Sequence, residues 1–441
     1  MTYQQTIDYL YSRLPMFSRT GAAAYKKDIT NTVALCKALQ QPHLQFKSIH
    51  VAGTNGKGSV SHMLAAVLQQ AGYKTGLYTS PHLFDFRERI RINGRMVPEA
   101  FVVAFTQEVQ PLIAQIEPSF FELSVAMAFS WFALQQVDVA VIETGLGGRL
   151  DSTNIITPEL SIITNIGWDH MNLLGNSLEQ IAGEKAGIIK PGIPAVIGER
   201  QPETTAVFEA AAQQQKAPLY FAADAYQITA IENKENLLRV LLTATESGRE
   251  KEYLLDLTGR YQAKNLRTVC TALDVLRMQG WHLPDAASTT ALQQVQRLTG
   301  FMGRWQVLQH NPLVVLDVAH NTDGMRQVLE QLQHLTYNTL HIITGMVRDK
   351  DVRSVVALLP QQARYYFTQA HIPRALPAAE LQQLAATCNR NGHTYAHVNE
   401  ALREALQNAQ SNDVVLVCGS VFLVGEVDLT AFRTGNRWPP S

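Results

Sequence analysis

A short glycine-rich segment constrains the fold of this chain more than any other feature of its sequence. The chain reads FKSIHVAGTNGKGSVSHML from Phe46 to Leu64. An apolar run precedes the glycines, and apolar residues then recur at spacings of three and four, which predicts a strand, a loop and a helix in that order. This arrangement directs backbone N–H groups and the positive end of a helix to one point. We therefore interpret the segment as a phosphate-binding loop, in which Lys57 reaches the outer phosphates and Ser59 offers a hydroxyl.

The loop departs from the general phosphate-binding pattern. Only two residues separate Gly53 from the Gly56–Lys57 pair, and a glycine stands between Lys57 and Ser59. The general pattern has four residues in the first interval, and it has Ser or Thr directly after the lysine. The alternative is an ordinary turn between strand and helix with a solvated lysine. The strand before the loop and the helix after it favour the phosphate site.

The length and composition of the chain indicate its class. A chain of 441 residues predicts two or three domains, and 46% apolar with 17% charged residues is typical of a globular protein. The net charge of −1 favours neither nucleic acid nor an anionic membrane as a partner. Four widely spaced cysteines predict buried thiols in a reducing compartment. Neither a signal-peptide pattern nor a membrane-length apolar run is recognisable, so we expect a soluble cytoplasmic protein.

Short apolar runs alternate with helical patterns along most of the chain. This alternation predicts an α/β fold, with a mostly parallel sheet in a first domain at 1–297 and a smaller α/β domain at 298–441. Residues 1–45 are predicted to be helical, 217–257 to form a small antiparallel insert and 264–279 to form a helix. The predicted strands are 46–51, 74–79, 137–142, 160–164 and 194–197 in the first domain, and 313–316, 340–344, 364–368 and 414–418 in the second.

Polar residues follow the predicted strands at their carboxyl ends, where parallel sheets bind ligands. Glu143 follows one such strand, Asp169 and His170 follow the next, and Ser80 follows an earlier one. A buried acid there is costly unless it faces a cation, and magnesium prefers hard oxygen ligands. We therefore predict a magnesium site at this edge. The alternatives are an acid that caps a turn, a structural histidine and a turn serine.

Lys185, in AGEKAGIIK, poses a separate question. Magnesium would repel a cationic lysine close to it, so the lysine fits there only if it is neutral or is converted to an anion. Carbamylation, the addition of carbon dioxide to the amine, makes such an anion. The alternative is a solvated residue on a helix.

The second domain has its own polar strand end, in VVLDVAHNTDGM. Asp317 ends a predicted strand, and His320 and Asn321 follow at the turn into a helix. Arg304 lies just inside this domain. We expect these side chains and the phosphate loop to face one nucleotide across a cleft, whose closure would exclude water from a reactive intermediate.

Together these segments resemble the bacterial folylpolyglutamate synthases, which often also act as dihydrofolate synthases and are related to the Mur ligases of the cell wall. The resemblance covers nearly the whole chain, and the shortened loop is the form that this family uses. It implies a P-loop-type, mostly parallel sheet domain followed by a smaller Rossmann-like α/β domain. The matching motifs are HVAGTNGKGSV, YTSPHL, RERIRING, FFELSVAMAF, ETGLGGRLDSTN, ITNIGWDHMNLLG, IAGEKAGIIKPG, GRYQAKNL, LDVAHN and CGSVFLVGE.

The resemblance implies an ATP-dependent ligase. Such an enzyme joins the amino group of L-glutamate to a carboxylate of dihydropteroate or of a folate's glutamyl tail, through an acyl phosphate. The implied cofactors are ATP, two magnesium ions and a carbamylated Lys185. The implied partners are small molecules only, and relatives are commonly monomers.

The resemblance also implies roles for individual residues. The residues implied to bind the triphosphate are Gly56, Lys57, Gly58 and Ser59, and those implied to bind the rest of ATP are Asn265, Arg304 and Asp317. The implied magnesium ligands are Ser80, Glu143 and His170. The implied folate contacts are Phe121, Leu150, Asp151 and Ser152. The implied catalytic residues are Lys57, Lys185 and His320, and His320 is assigned to the incoming glutamate.

One position departs from the family pattern. Met302 stands where a proline commonly precedes the Gly–Arg pair, so we expect the loop that holds Arg304 to be less rigid.

Two other functions are compatible with parts of the sequence. A Mur-type ligase of UDP-linked peptides shares both domains, but it usually carries an extra N-terminal domain, and here the first predicted strand already starts at residue 46. A non-catalytic nucleotide switch would keep the phosphate loop without needing Glu143, His170, Lys185 and Asp317 together. The motifs do not distinguish a bifunctional enzyme from one that only extends folate tails.

Overall fold

The computed structural model describes residues 1–16, 21 and 28–432, which divide into two compact units. The first unit comprises Met1–Asp256 and Gln262–Phe301, and the second comprises Leu257–Tyr261 and the chain from Met302 onward. The predicted division into a first domain at 1–297 and a smaller domain at 298–441, with a function for each, stays a prediction. None of the helices within the described ranges is long and apolar enough to cross a membrane.

An eight-stranded sheet forms the centre of the first unit, in the order β4-β3-β2-β5-β1-β6-β7-β8. The six strands from β2 to β8 in this order run parallel, and β3 and β4 add an antiparallel edge. The central strands are buried along nearly their whole length, as expected for a parallel sheet covered on both faces. The strands are β1 (Lys47–Ala52), β2 (Thr75–Tyr78), β3 (Ile90–Ile92), β4 (Arg95–Met96), β5 (Val139–Glu143), β6 (Leu160–Ile163), β7 (Ala195–Ile197) and β8 (Leu219–Phe221).

A separate three-stranded antiparallel sheet completes the strands of this unit. It has the order β11-β10-β9, with β9 at Tyr226–Lys234, β10 at Leu237–Ala244 and β11 at Glu250–Leu255. The predicted antiparallel insert is therefore present. Its predicted start at residue 217 is wrong, because β8 pairs in parallel with β7 and belongs to the large sheet.

Helices follow most strands of the first unit. Those the structure describes are Tyr3–Arg13, Thr30–Ala38, Lys57–Gln70, Glu99–Ile116, Phe120–Leu134, Met171–Leu174, Leu178–Ala186, Pro202–Gln215, Ala222–Ala225, Gln262–Met278, Asp285–Leu292 and Val295–Thr299. Short 3-10 helices span Pro42–Leu44, Phe86–Arg89 and Ser152–Ile155. Part of the predicted N-terminal helical region, at 17–20 and 22–27, lies outside the described residues.

The second unit has its own six-stranded sheet, in the order β12-β13-β17-β14-β15-β16. All neighbours pair in parallel except β12, which forms an antiparallel hairpin with β13. The strands are β12 (Gln306–His310), β13 (Leu313–Leu316), β14 (Leu340–Thr344), β15 (Arg364–Phe367), β16 (Gly392–Thr394) and β17 (Val414–Cys418). The helices are Thr322–Gln333, Val352–Leu358, Ala378–Ala386, Val398–Asn408 and Val421–Val424, with a 3-10 helix at Leu429–Phe432.

Candidate active site

The glycine loop joins β1 to the helix Lys57–Gln70, as the sequence predicts. Gly56 is the last residue before this helix and has a φ of 83°, a conformation that favours glycine. A Cβ added at Gly56 would overlap Oδ1 of Asn265, so that predicted ATP-binding side chain lies directly against the loop. Gly58 and Ser59 are buried in the first turn of the helix.

Two lysine side chains meet at one carbonyl of this loop. Lys57 Nζ donates to the carbonyl oxygens of Gly53, at 3.0 Å, and Thr54, at 3.3 Å. Lys185 Nζ donates to the same oxygen of Gly53, also at 3.0 Å. Lys185 is only 3% exposed, so the alternative of a solvated helix residue is wrong. The structure therefore brings two of the predicted catalytic residues together.

The segment after β6 holds the loop in place. Thr54 donates its backbone N–H to the carbonyl of Asn165, at 3.0 Å, and the Asn55 N–H donates to Oδ1 of Asn165, at 2.9 Å. The Gly167 N–H donates to the Thr54 hydroxyl oxygen, at 3.0 Å. Sequence reasoning gave Asn165 no role, although its place directly after an apolar strand was an available signal.

The predicted magnesium ligands lie at the carboxyl ends of neighbouring parallel strands. The sheet order β2-β5-β1-β6 places Ser80, Glu143, the glycine loop and the segment before His170 along one edge. The Ser80 N–H donates to Oε2 of Glu143, at 3.0 Å, and Glu143 is 4% exposed. The structure therefore brings a serine next to a buried carboxylate.

His170 is oriented by its neighbour Asp169. Its Nε2 lies 3.8 Å from Oδ1 of Asp169, and its backbone N–H donates to the same oxygen, at 2.8 Å. The backbone of His170 is left-handed, with a φ of 49°, immediately before the short helix Met171–Leu174. The turn thus fixes the histidine close to a carboxylate.

The donor set at this edge fits magnesium. Glu143 is a buried carboxylate, a hard oxygen ligand that suits a cation, and the nearby Ser80 carries a hydroxyl oxygen. Across the described parts of the chain, no three or more His, Cys, Asp or Glu residues are grouped to hold a metal by themselves. A site here therefore needs the hydroxyl and oxygens from substrate or water, which magnesium commonly uses. The assignment of Ser80, Glu143 and His170 as its ligands stays a prediction.

Asp151 organises the glycine loop that follows β5. Its carboxylate accepts the N–H groups of Gly145, at 2.9 Å, and Leu146, at 2.8 Å. It also accepts the N–H of Thr153, at 3.0 Å, and the hydroxyl of Thr153, at 2.5 Å. Burial raises the pKa of Asp151, and these hydrogen bonds oppose that rise. The buried carboxylate of Asp151 therefore fixes the conformation of this loop.

The other predicted folate contacts surround the same loop. A Cβ added at Gly145 would overlap the ring of Phe121, so this ring lies directly on the loop backbone. Leu150 is half-buried, and Ser152 begins a 3-10 helix and is buried. The four predicted contacts are thus within one short segment and the ring that covers it.

A half-buried histidine and a buried arginine lie in the segment that follows Ser80. Arg89 donates its Nε–H to Nδ1 of His82, at 2.8 Å, and the Tyr11 hydroxyl lies 3.2 Å from Nε2 of His82. A guanidinium only donates, so Nδ1 accepts and His82 is neutral, with its proton on Nε2. Burial lowers the pKa of His82 to about 3, and the Arg89 charge adds to the effect. Sequence reasoning gave neither residue a role.

Asp317 fixes a loop in the second unit. Its Oδ2 accepts the Tyr261 hydroxyl and the Trp305 N–H, both at 2.8 Å, and its Oδ1 accepts the Ala319 N–H, at 2.9 Å. Burial raises the pKa of Asp317, while the Arg304 charge and these bonds oppose the rise. Tyr261 was not singled out from the sequence, although it lies in the quoted GRYQAKNL motif.

The loop that holds Arg304 is tied down although Met302 replaces the family's proline. The Gly303 N–H donates to Oε1 of Gln306, at 2.8 Å, and the Val318 N–H donates to the Gly303 carbonyl, at 3.0 Å. Hydrogen bonds therefore restrain the backbone immediately before Arg304. The expected loss of rigidity from Met302 stays a prediction.

His320 follows β13 with a defined tautomer. Its Nδ1 lies 3.0 Å from the Val318 carbonyl, and a carbonyl only accepts, so Nδ1 carries a proton. In the neutral ring Nε2 is therefore the basic nitrogen. Asn321 then caps the helix Thr322–Gln333 by accepting the Gly324 N–H, at 2.8 Å. The structure thus groups His320 with Asp317 and Arg304 around one strand end, while the shared nucleotide cleft stays a prediction.

Comparison with known proteins gives the family. The Mur ligase middle domain matches residues 51–273, and the Mur ligase glutamate ligase domain matches 303–421. The dihydrofolate synthase/folylpolyglutamate synthase of Bacillus subtilis is 32% identical over 437 residues, which cover 96% of this chain and 98% of that protein. The chain belongs to the folylpolyglutamate synthase family of Mur ligases. The resemblance inferred from the motifs is thereby confirmed.

Solved structures of this family share the fold. Mycobacterium tuberculosis folylpolyglutamate synthase complexed with ADP matches with a TM-score of 0.86 and 30% identity, covering 99% of both chains. A bifunctional folylpolyglutamate synthase/dihydrofolate synthase with Mn, AMPPNP and L-glutamate bound matches with a TM-score of 0.79 and 30% identity, covering 96% of this chain and 97% of that one. The α/β fold class predicted from the sequence is confirmed.

Proposed function

We propose that this protein is an ATP-dependent ligase that joins L-glutamate to dihydropteroate, to the glutamyl tail of a folate, or to both. ADP and phosphate are the other products. One observation carries the proposal furthest. A single edge of parallel strands holds a phosphate-type loop, two lysines on its Gly53 carbonyl, and the buried Glu143 beside Ser80. The family relatives named for this activity match along nearly the whole chain.

The chemistry must make a carboxylate reactive. A carboxylate is a poor electrophile because its charge repels an attacking amine. Transfer of the γ-phosphoryl group of ATP to it gives an acyl phosphate, whose phosphate is a good leaving group. The amine of glutamate attacks the acyl carbon, and the tetrahedral intermediate expels phosphate and leaves an amide. Most of the catalytic task in phosphoryl transfer is positioning and charge neutralisation.

The glycine loop supplies the positioning for ATP. Its N–H groups and the start of the helix Lys57–Gln70 favour the phosphate oxygens, and Lys57 extends from this start. When bound, magnesium neutralises phosphate charge, and Ser80, Glu143 and His170 are the residues that would hold it. Asn265, which lies against Gly56, is assigned to ATP as well.

We assign Lys185 a carbamate in the working enzyme. Carbamylation of the ammonium releases two protons, one that frees the amine and one lost as its nitrogen bonds to carbon dioxide, and it leaves one N–H on the nitrogen. That N–H can still donate to the Gly53 carbonyl, which now accepts from the amine at 3.0 Å. The new carboxylate replaces a buried positive charge by a negative one, which suits a second magnesium ion and a nearby substrate carboxylate.

The second unit and the loop after β5 complete the proposal. Arg304 and Asp317 are assigned to ATP, and His320 to the incoming glutamate. The folate substrate is assigned to Phe121 and to the segment from Leu150 to Ser152. We propose that the protein is a monomer and is located in the cytoplasm.

The test is ADP release by the purified protein with ATP, magnesium and L-glutamate. One arm contains dihydropteroate and the other contains tetrahydrofolate. Turnover in either arm, dependent on glutamate, supports the ligase, and turnover in both establishes a bifunctional enzyme. ATP binding without glutamate-dependent turnover in both arms would contradict the proposal.

A further inference from the structure

A series of hydrogen bonds connects β1, the strand before the phosphate loop, to the loop after β5, where the predicted folate contacts lie. His50, in β1, is fully buried, and its Nε2 lies 2.8 Å from the Thr153 hydroxyl. That hydroxyl lies 2.5 Å from Oδ1 of Asp151. The other oxygen of Asp151 accepts the N–H groups of Gly145 and Leu146. Three buried side chains therefore connect β1 to the backbone of the loop after β5.

The direction of each hydrogen bond follows from the chemistry of the groups. The carboxylate of Asp151 accepts, so the hydroxyl of Thr153 donates to it and uses a lone pair to accept from His50. His50 must then carry a proton on Nε2. Burial lowers the pKa of His50 to about 3, which agrees with a neutral ring at physiological pH.

His50 occupies this position at a cost in stability. Its Nδ1 is buried and has no hydrogen-bond partner within the described residues. A buried nitrogen without a partner is unfavourable, and an aliphatic residue in the same strand would avoid it. The bond from Nε2 to Thr153 is the contact that only a polar side chain can make here. This contrast points to a role for that bond outside the packing of the core.

The loop held by these hydrogen bonds carries the surface assigned to the folate. Gly145 donates to Asp151 and also lies against the ring of Phe121 without room for a Cβ. A change in the Asp151 carboxylate therefore shifts both the loop backbone and the ring that rests on it. His50 lies three residues before Gly53, so the same strand leads to the phosphate loop.

We propose that His50 and Thr153 are positioning residues for the pterin end of the folate substrate. They orient the Asp151 carboxylate, which holds the loop beneath Phe121 in the shape that accepts the substrate. This inference rests on the proposed ligase function. Neither residue has to touch substrate, so their loss changes the KM for the pterin substrate more than the KM for ATP.

The first test replaces the hydroxyl while keeping the shape of the side chain. Thr153→Val is expected to raise the KM for dihydropteroate or tetrahydrofolate about tenfold, with the KM for ATP changed by less than about twofold, as for one lost hydrogen bond to a charged group. Thr153→Ser keeps the hydroxyl and is expected to restore the KM. The matched control is Thr106→Val, because Thr106 is buried and its hydroxyl has no hydrogen-bond partner in the described chain.

A second measurement uses the wild-type protein alone. The ¹⁵N shifts of His50 are expected to show a neutral ring with its proton on Nε2 between pH 5.5 and 8. A proton on Nδ1, or an imidazolium in this range, would overturn the inference even if Thr153→Val did not fold. An unchanged pterin KM in folded Thr153→Val would overturn it too, with wild-type ligation intact. Absence of ligation by the wild type would instead overturn the proposed function.

Discussion

Two acidic residues lie at the carboxyl ends of parallel strands in the two units, and their surroundings differ. Glu143 ends β5, and its carboxylate meets the backbone of Ser80 at an edge that also carries the phosphate-type loop. Asp317 follows β13, and its carboxylate accepts hydrogen bonds from Tyr261, Trp305 and Ala319. A carboxylate has about four acceptor positions, so the protein itself uses most of those of Asp317.

The comparison separates two roles that look the same in a sequence. An acid at the carboxyl end of a buried strand predicts a ligand edge in both units. The donors around Asp317 show that this acid holds its own loop, and the place of Glu143 beside Ser80 at the edge of the phosphate-type loop suits it to a cation. We therefore expect Glu143 to act mainly on the chemistry, and Asp317 mainly on the shape and stability of the Arg304 loop.

The largest effect is expected for Lys57, in the phosphate-type loop at the same sheet edge as Glu143. Lys57→Ala removes the cation that reaches the phosphates, and we expect turnover to fall by at least about a hundredfold, because fixed charge at the transferring phosphoryl group is a major part of catalysis. The thermal unfolding midpoint should stay close to that of the wild type, since Lys57 is only partly buried. ADP release and circular dichroism measure both. Normal turnover in this variant would refute the phosphate-loop assignment.

The direct test of the comparison pairs Glu143→Gln with Asp317→Asn. Glu143→Gln removes a negative charge without changing the shape, and we expect kcat to fall about a hundredfold and the magnesium requirement to rise. Asp317→Asn is expected to raise the KM for ATP about tenfold and to lower the unfolding midpoint of the second unit, because it weakens three hydrogen bonds. Steady-state kinetics against ATP and magnesium, with calorimetry, give both readouts.

Glu159→Gln is the control for this pair, since the carboxylate of Glu159 forms an ion pair with the exposed Lys47 and such pairs contribute little to stability. The reverse pattern, with kcat lost in Asp317→Asn and stability lost in Glu143→Gln, would show that the two acids have been assigned the wrong way round.

A smaller effect, with a distinctive rescue, is expected at Lys185. Lys185→Ala should retain weak activity, about one tenth of the wild type or less, and short carboxylic acids should restore part of it by replacing the missing anion. Lys47→Ala, on β1 but exposed at the surface, is the control that should neither lose activity nor respond to the acids. Failure of several acids to rescue Lys185→Ala would count against carbamylation.

The smallest expected effect is a loss of stability of the first unit in acid. Burial lowers the pKa values of His50 and His82 to about 3. In the unfolded chain the pKa of a histidine is about 6.5. Between about pH 3 and about pH 6.5 the unfolded chain therefore binds more protons than the folded one. The contribution of these two neutral histidines to the unfolding free energy is fully present above about pH 6.5. It is lost as the pH falls toward about 3, by up to about 1.4 kcal/mol per pH unit for each histidine.

Urea unfolding of the wild type and His50→Gln between pH 7 and 5 measures this effect. The variant should lose less unfolding free energy than the wild type over this range, because it has one fewer histidine that must gain a proton. Equal losses in the two proteins would show that His50 does not titrate as its burial implies.

The sequence predicted the buried parts of the fold better than its edges. The bounds of β13, β14 and β17 match their prediction, because buried parallel strands are continuous apolar runs. The edge strands β12, with the sequence QVLQH, and β16, with GHT, were missed because they are short and polar. Such strands are defined by the neighbour they pair with, which a local pattern does not contain.

The candidate site shows the same division. The order of strand, loop and helix around Gly56 could be predicted because each step is local. The burial of Lys185 could not, since its contact with Gly53 joins residues 132 positions apart. Asp151 was likewise assigned to a folate-contacting segment, and the sequence did not show that its carboxylate accepts four hydrogen bonds from its own loop. Sequence motifs thus located these residues but did not show which way their side chains face.

Isotope transfer from the acceptor carboxylate to phosphate tests the central claim most directly. Whichever acceptor turns over, dihydropteroate or tetrahydrofolate, is prepared with ¹⁸O in its reacting carboxylate and incubated with the protein, ATP, magnesium and L-glutamate. Formation of an acyl phosphate predicts one ¹⁸O atom in each inorganic phosphate released, seen by mass spectrometry or ³¹P NMR. Phosphate without the label would mean that water attacks ATP directly, and it would contradict a ligase that activates a carboxylate at the edge of Lys57 and Glu143.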